Sequence, residues 1–264
     1  MSGSAIGRLR GWAAARLPAR LIHRYRIVRH VQLMPFEPEL TVLPRFLNVG
    51  EVAIDVGANV GVYSDCLARG AKRVVALEPH PGCAAFLRRL ALDRVDLIEA
   101  AVSDREGRAD LRIPIDDSGE AYALSSLSVA NDFGAAERAV RIAPVRTVTL
   151  DGIAEQRVGP QERVGFVKID VEGHELKVLL GARALLAEHR PVILVETEFR
   201  HGGDPEGVLR FAAEAGYRAS ALVDGVNLAP IDADTLRMRQ SDSLQRAGRR
   251  GGYLNNVFLL PVTH

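Results

Sequence analysis

The chain has 264 residues, of which 47% are hydrophobic and 25% are charged. This balance excludes a chain that is mostly disordered, because the apolar residues are numerous enough to offset the conformational entropy lost on folding. The 34 basic and 33 acidic side chains leave a formal net charge of +1, so there is no overall positive field for binding nucleic acid. With 2 cysteines, a disulfide scaffold is excluded as well, and we expect free thiols in a cytoplasmic protein.

The first 40 residues are basic, and seven arginines precede the first acid, Glu37. Arginines interrupt the apolar runs, so we expect neither a signal peptide nor a transmembrane helix. Apolar residues recur at helical spacing: Ile6, Leu9, Ala13, Leu17 and Leu21. This spacing predicts a basic amphipathic helix or helix pair over residues 1–40. Such a segment could cap the main domain, lie on a membrane surface or contact an acidic substrate.

From residue 41 to residue 264 the pattern predicts one α/β domain, in which short apolar runs alternate with helical periodicity. The predicted strands and extended segments, in chain order, are 52–56, 73–77, 95–101, 109–113, 145–150, 164–170, 191–196, 217–223 and 256–262. The predicted helices are 62–69, 82–92, a helix that ends at 186, and 205–215. The alternation predicts a mostly parallel sheet of seven core strands, without the two extended segments that flank a polar loop at 116–136. The last two strands are expected to form an antiparallel edge hairpin.

A glycine-rich turn joins the first strand to the first helix of this domain. It contains Asp55, Gly57, Ala58, Asn59 and Gly61. Gly57 permits a tight turn and Gly61 lets the helix pack close to the strand. The spacing is not the G-x-G-x-x-G of dinucleotide-binding proteins. A carboxylate at position 55 would repel a pyrophosphate and would favour a ligand that carries a cationic amine.

Glu78 ends the second strand, at the spacing of about 20 residues from which an acid can accept hydrogen bonds from ribose hydroxyls. An unphosphorylated nucleoside with a cationic tail fits both Asp55 and Glu78, and S-adenosylmethionine is such a molecule. The alternative is a structural turn followed by an incidental acid.

A second group of polar residues follows two later strands. Asp170, Glu172 and His174 come at the end of strand 164–170, and Glu196 ends strand 191–196. The carboxyl ends of parallel strands meet at one edge, so we expect these side chains to converge beside the reactive end of the cofactor. Packed carboxylates raise one another's pKa, so one of them could act as a general base; they could instead hold Mg²⁺. The structural alternative is an ion pair between one of the acids and Lys168.

The two groups together resemble the FkbM family of S-adenosylmethionine-dependent methyltransferases. The matching runs are 54–61, 78–79, 101–104, 125–127, 148–151, 167–175 and 256–258, with Gly107, Gly181 and Glu196. The K-I-D-x-E-G-x-E run is far more specific than the D-x-G-x-N-x-G turn. The resemblance covers about residues 41–262 and leaves the basic segment outside it.

The resemblance implies a class I methyltransferase fold, which is a Rossmann-like seven-stranded sheet with an antiparallel last strand. It implies methyl transfer from S-adenosylmethionine to a hydroxyl group of a sugar, glycolipid or secondary metabolite. It assigns the cofactor site to Asp55, Gly57, Ala58, Asn59, Gly61, Glu78, Pro79, Ala101, Val102, Ser103 and Asp170. The candidate catalytic residues, in order of preference, are Asp170, Glu172, Glu196 and His174.

Two other functions compete with this interpretation. A nicotinamide-dependent oxidoreductase is disfavoured by Asp55 and by the missing dinucleotide motif. A methyltransferase fold retained only as a binding module is disfavoured by the acids at positions 55, 78 and 170. The expected partner is a small-molecule or glycan acceptor and not a nucleic acid, because aromatic residues make up only 5% of the chain.

Overall fold

The computed structural model describes residues 18–28, 37–116, 119–131, 139–241 and 252–262. Most of the predicted basic helix pair, residues 1–17, lies outside the described residues, and so do two parts of the predicted polar loop, 117–118 and 132–138. None of the helices in the described ranges combines the length and the apolar character that a membrane-spanning segment requires.

The helices alternate with strands from residue 52 onward, as the sequence predicts. In the described part of the chain they are α1 (Ala19–Ile27), α2 (Glu39–Val42), α3 (Val62–Ala68), α4 (Pro81–Leu90), α5 (Leu150–Arg157), α6 (Glu175–Leu180), α7 (Arg183–His189), α8 (Pro205–Glu214) and α9 (Ala233–Arg239). Several begin at a side-chain cap. The Thr149 hydroxyl accepts a hydrogen bond from Gly152 N–H at the start of α5, and Asp204 accepts one from Gly207 N–H at the start of α8.

The larger sheet confirms the predicted fold class. Its strands are β1 (Val52–Val56), β2 (Arg73–Leu77), β3 (Val95–Ile98), β8 (Val164–Ile169), β9 (Val192–Glu196), β10 (Tyr217–Leu222), β11 (Leu228–Pro230) and β12 (Asn256–Pro261). They lie in the order β11-β10-β12-β9-β8-β1-β2-β3. The pairs from β9 to β3 are parallel, whereas β12 is antiparallel to both of its neighbours. This is a mostly parallel, Rossmann-like sheet with an antiparallel last strand, and every residue of β1 is buried.

A second sheet comes from the chain between β3 and β8. It contains β4 (Ala101–Val102), β5 (Gly107–Asp116), β6 (Gly119–Glu120) and β7 (Ala139–Val148), in the order β4-β7-β5-β6. The two extended segments of the sequence analysis are therefore longer than predicted, and they pair antiparallel along the length of β5.

The structure corrects the predicted end of the large sheet. Strand β12 does not lie at the edge, because it pairs with β9 as well as with β10. The connection between the two strands also contains β11 and α9, and β11 occupies the edge. The turn between β10 and β11 places β11 at this edge. In the turn, Asp224 accepts hydrogen bonds from the N–H groups of Val226 and Asn227, and the chain then pairs antiparallel with β10.

Two further elements end earlier than predicted. The strand predicted over 95–101 ends at Ile98, and Ala100 N–H bonds back to the Ile98 carbonyl, which takes the chain out of the large sheet. The helix predicted to end at 186 is two helices, α6 and α7, that break at Gly181. A β-carbon at Gly181 would lie 2.2 Å from the Ser103 carbonyl oxygen, so backbone packing against the adjoining loop fixes this break.

Helix α1 packs against α3 and α4. This contact is the one expected if the basic segment caps the main domain. Ala19 joins Ala58, Leu87 and Leu90 in one apolar cluster. The face predicted from the apolar spacing is wrong in this part of the segment, because Leu21 is 57% exposed while Ala19 and His23 are buried. His23 points inward in place of Leu21, because the Nδ1 atom of its ring lies 3.2 Å from the Val60 carbonyl oxygen.

Candidate active site

The glycine-rich turn follows β1 and rests on two neighbouring loops. Gly57 and Gly61 have φ angles of +80° and +83°, in the left-handed region that glycine tolerates best. The N–H groups of Gly57 and Ala58 both donate to the Leu77 carbonyl, at 2.9 and 3.1 Å. A β-carbon at Gly57 would lie 1.9 Å from the carbonyl oxygen of Asp170. The turn is therefore in direct backbone contact with the loop that carries the second group of acids.

Asp55 lies beneath this turn and not on its open side. Its side chain is buried and accepts a hydrogen bond of 2.6 Å from the Ser64 hydroxyl in α3. Burial raises the pKa of Asp55 to about 6, although the Ser64 hydrogen bond opposes that change. Ala58 is buried in the apolar cluster behind the turn, and Gly61 begins α3. These three predicted cofactor residues shape the turn from behind.

Glu78 at the end of β2 is held by two backbone donors. Asn59 N–H donates to Oε2 at 2.6 Å and His80 N–H donates to Oε1 at 2.7 Å. Burial raises the pKa of Glu78 to about 7, and the two backbone hydrogen bonds act against this increase. The carboxylate is thus fixed in orientation, and each of its oxygens has a second lone pair available.

A cleft opens above the carboxyl ends of β1, β2 and β8. Its void volume is about 610 Å³, and this value includes the open solvent at its mouth. The predicted residues that line it are Gly57, Asn59, Glu78, Pro79, Ala101, Val102, Asp170, Glu172 and His174. Asp55, Ala58, Gly61, Ser103 and Glu196 are not among its lining residues. Of the described residues that line the cleft, none is arginine or lysine.

The cleft also has a roof from the second sheet, and sequence reasoning identified little of it. The segment 119–131 between β5 and β7 contributes Tyr122, Ala123, Ser125 and Leu127, and β5 contributes Leu111. The available signal was the Ser125-Ser126-Leu127 run, whose match to the family pattern implies a loop that could close over the cofactor. The hydroxyl of Ser125 is buried and forms no hydrogen bond within the described residues.

Glu172 occupies a backbone conformation that the roof holds in place. Its φ angle is +52°, unusual for a residue with a side chain, and Gly173 follows at +92°. The Ser126 hydroxyl donates to the Glu172 carbonyl at 2.6 Å, and the Asn131 amide nitrogen donates to it at 3.3 Å. Burial, followed by the nearby Asp170 charge, raises the pKa of the Glu172 carboxyl well above its ordinary value.

Asp170 and Glu196 lie on either side of a buried lysine. Lys168 Nζ is 3.8 Å from Asp170 Oδ2 and 4.0 Å from Glu196 Oε2. The pKa of Asp170 is raised to about 7 by burial and by the Glu196 charge, against the opposing effect of Lys168. Glu196 is further held by the Asn255 side-chain amide, which donates to its Oε1. The predicted convergence of these acids is present, with Asp170 on the cleft and Glu196 behind it.

His174 lines the cleft at the start of α6. Its Nε2 lies 3.0 Å from the Ser103 hydroxyl, which also donates to Asp104 at 3.2 Å. Lys177 forms an ion pair with Asp104 at 2.8 Å. Burial lowers the pKa of His174, so the neutral ring is favoured near neutral pH. Ser103, predicted for the cofactor site, thus contacts His174.

No group of three or more histidine, cysteine, aspartate or glutamate side chains in the described ranges is arranged to hold a metal ion. The acids above instead pair with Lys168, with backbone N–H groups or with amide side chains. What this arrangement can do chemically is to receive a nucleoside with hydroxyls for Glu78 and positive charge for Asp170 and Glu172.

Comparisons with known proteins indicate the family of this chain. A family model described as the methyltransferase FkbM domain matches residues 55–219. Among curated proteins, the hexuronic acid methyltransferase AglP of Haloferax volcanii is 29% identical over 174 residues, a match that covers 62% of this chain and 62% of that protein. This chain thus matches less than two thirds of the length of this relative.

Solved structures are similar at lower identity. The methyltransferase FkbM from Methylobacillus flagellatus KT is 18% identical, with a TM-score of 0.44, over 69% of this chain and 43% of that chain. A Streptococcus mutans protein solved in complex with SAH is 13% identical, with a TM-score of 0.42, over 74% of this chain and 93% of that chain. Because the family model spans more than half of the sequence and includes both the glycine-rich turn and the acids after β8, the chain belongs to the FkbM family of methyltransferases.

Proposed function

We propose that this enzyme transfers the methyl group of S-adenosylmethionine to a hydroxyl oxygen of a sugar, and that the sugar is a uronic acid or a glycan that contains one. The observation that carries the proposal is one cleft in which Glu78 and Asp170 both line the space above the glycine-rich turn. The acceptor class is supported by the printed name of the Haloferax relative, a hexuronic acid methyltransferase.

The residues of the cleft suit this donor. Glu78 is oriented to accept hydrogen bonds from two ribose hydroxyls, while Ala101, Val102 and Leu111 offer apolar contacts to a purine ring. The carboxylates of Asp170 and Glu172 favour the positive charge of the sulfonium and amino groups. A cofactor with a pyrophosphate would meet these acids, and no arginine or lysine among the described lining residues balances them, which argues against the oxidoreductase alternative.

The donor, when bound, supplies a methyl group that passes to an oxygen while sulfur keeps the electron pair of the broken bond. A sugar hydroxyl is a weak nucleophile at neutral pH, so its proton must be removed as it attacks. Asp170 is the first candidate for this base, because its pKa of about 7 lets it accept a proton near neutral pH. Glu172 is the second candidate, and His174 and Glu196 follow it. The roof at 119–131 excludes water and orients the acceptor.

We also propose that the catalytic unit comprises the residues from 41 onward and that α1 acts as a cap on it. Within that unit, Ser125 is a further candidate for binding the donor, since the residue lines the cleft and its buried hydroxyl has no hydrogen bond in the described structure.

Two measurements test the proposed function. Calorimetry with S-adenosylmethionine should show binding, and Glu78→Ala should weaken it, whereas Glu99→Ala, at an exposed acid that pairs with Arg88, should leave it unchanged. Labelled methyl transfer should then favour oligosaccharides that contain glucuronic or galacturonic acid over their neutral counterparts, with and without a chelator.

Absence of S-adenosylmethionine binding would contradict the donor. Binding without transfer to any hydroxylated acceptor would support the alternative, a fold retained as a binding module. Equal transfer to neutral sugars would contradict the uronic acid class alone.

A further inference from the structure

Lys168 is a buried cation that the proposed reaction does not use. It is the fifth of the six residues of β8, and its side chain is 1% exposed. Its Nζ lies 3.5 Å from Asn256 Oδ1 in β12 and 3.4 Å from the Ile169 carbonyl oxygen. The Tyr63 ring of α3 covers it at 5.0 Å from the ring centroid.

The two nearest carboxylates share this cation. Asp170 Oδ2 at 3.8 Å and Glu196 Oε2 at 4.0 Å both lie beyond hydrogen-bond distance, and they are nearly equidistant from Nζ. A buried lysine is costly unless its charge is balanced. Here the balance comes from two acids on neighbouring strands and not from one close ion pair.

We infer that Lys168 is a positioning residue that keeps Asp170 and Glu196 ionised together at the reactive end of the cleft, and that it acts through its charge. This inference rests on the proposed function, because in that reaction an ionised Asp170 is needed to take the proton from the acceptor hydroxyl. Lys168 itself touches neither the cleft nor a reacting atom.

The charged and polar groups around Lys168 determine how its positive charge is balanced. Around Lys168 the charged groups are Asp170 after β8, Glu196 of β9, and at longer range Asp55 of β1 and Glu37 before α2; the polar groups are Asn256 of β12 and Tyr63 of α3. Asp170 also faces Glu198. Burial lowers the pKa of Lys168, but these carboxylates outweigh that effect and raise it. Among the described residues, the four charged groups that act most on Lys168 are therefore all negative, and its charge offsets theirs.

Removing the cation should make folding more dependent on pH. Without Lys168, the half-buried carboxylates of Asp170 and Glu196 repel each other, and protons are taken up there when the chain folds. The folded state then binds more protons than the unfolded state, so stability falls as pH rises. A lysine with a merely structural role would instead lower stability by the same amount at every pH.

The test is the free energy of unfolding between pH 5 and pH 9 for the wild type, Lys168→Met, Glu196→Gln and the double variant. The gap between the wild type and Lys168→Met should stay nearly constant below about pH 7, because Asp170 of the wild type has a pKa of about 7, and should widen from there toward pH 9. The double variant, which removes the cation and one of its two anions, should show much less widening. Lys72→Met, at an exposed lysine paired with Glu162, is the control and should give a gap that stays constant over this range.

A constant gap for Lys168→Met, or a double variant with the same widening, would overturn the inference. If Lys168→Met does not fold, Lys168→Gln/Glu196→Gln is compared with Glu196→Gln. The gap should still widen above pH 7, because Asp170 loses its cation in the double variant, and a constant gap would overturn the inference. None of these unfolding measurements needs an acceptor or a donor. Failure of the wild type to bind S-adenosylmethionine would therefore contradict the proposed function without changing the result of the pH experiment. Where methyl transfer is measurable, Lys168→Met should also shift the acid limb of the pH–kcat profile toward higher pH.

Discussion

The backbone of Gly57 touches the backbone of Asp170, so the glycine-rich turn and the acid-bearing loop are fixed to each other. A β-carbon at position 57 would lie 1.9 Å from the Asp170 carbonyl oxygen. Asp170 N–H also donates to the Val56 carbonyl at 3.0 Å. The two sequence motifs of this enzyme are therefore one structural unit, because neither loop can move without the other.

Gly57→Ala should separate these loops. The substitution adds a steric clash with backbone atoms to the strain of a φ angle of +80°, and we expect a loss of more than about 4 kcal/mol or a failure to fold. Gly225→Ala is a matched control, because its φ angle is +79° and the nearest atom lies at 3.8 Å. The control should cost about 1–2 kcal/mol by urea unfolding. Equal costs for the two variants would show that the contact with Asp170 carries no energetic weight.

Ser126→Ala should loosen the roof over the cleft. It removes the 2.6 Å hydrogen bond to the Glu172 carbonyl, and we expect a loss of about 1 kcal/mol in stability together with a lower kcat. Adding Asn131→Ala, which removes the second donor to the same carbonyl, should cost more than the sum of the single changes, because a buried acceptor is then left unsatisfied. Ser128→Ala keeps both donors and should leave kcat unchanged. A wild-type kcat in the double variant would exclude a role for the roof in turnover.

Glu78→Gln should weaken donor binding although it preserves the shape of the side chain. Both carboxylate oxygens accept backbone N–H groups, from Asn59 and His80, so the amide NH₂ of glutamine must face one of these donors. We expect the dissociation constant for S-adenosylmethionine to rise at least tenfold, about 1.4 kcal/mol. Glu99→Gln, at an exposed position, is the calorimetric control. Unchanged affinity in Glu78→Gln would remove this residue from the donor site.

Glu175→Gln should stabilise the enzyme at alkaline pH. Glu175 is 2% exposed, and burial raises its pKa to about 7 from an ordinary value of 4.5. A raised pKa contributes stability below the unfolded value, and this contribution is lost as pH rises through 7. Because glutamine can still accept the Gly173 N–H with its carbonyl oxygen, we expect a gain of about 1–3 kcal/mol at pH 8 and little change at pH 4, measured by urea unfolding.

The control for this pH prediction is Glu162→Gln, which should behave in the opposite way. Hydrogen bonds from Arg73 and Lys72 lower the pKa of Glu162 to about 2. Its contribution is present above its ordinary pKa and is lost only as pH falls through 2, so the variant should lose stability at pH 8. A Glu175→Gln variant that is less stable than the wild type at pH 8 would show that its charge is balanced in the folded state.

The main strands were predictable because their signal is local. A run such as Val52–Val56 is buried on both faces, and its five residues are hydrophobic apart from Asp55. Strand β11 was not predictable, since three residues at an edge depend on the Asp224 turn and on pairing with β10. The break at Gly181 was hidden for the same reason, because it depends on the backbone of Ser103, far away in the sequence.

The site was predictable where strand ends determine it. Glu78, Asp170 and Glu172 line the cleft because the carboxyl ends of β2 and β8 meet there. The direction of Asp55 was not predictable, since it depends on Ser64 one turn into α3. The roof was not predictable either, because Ser126 and Asn131 lie in the connection between β5 and β7 and reach Glu172 only through the tertiary fold.

Helix α1 has a consequence for how this chain can be shortened. The sequence places a boundary near residue 41, yet Ala19 shares an apolar cluster with Ala58 of the glycine-rich turn, and His23 contacts the Val60 carbonyl. An enzyme that begins at Thr41 would expose the back of this turn to water. The practical N-terminal limit for a stable fragment is therefore before Pro18, because removing α1 would uncover the apolar wall behind the glycine-rich turn.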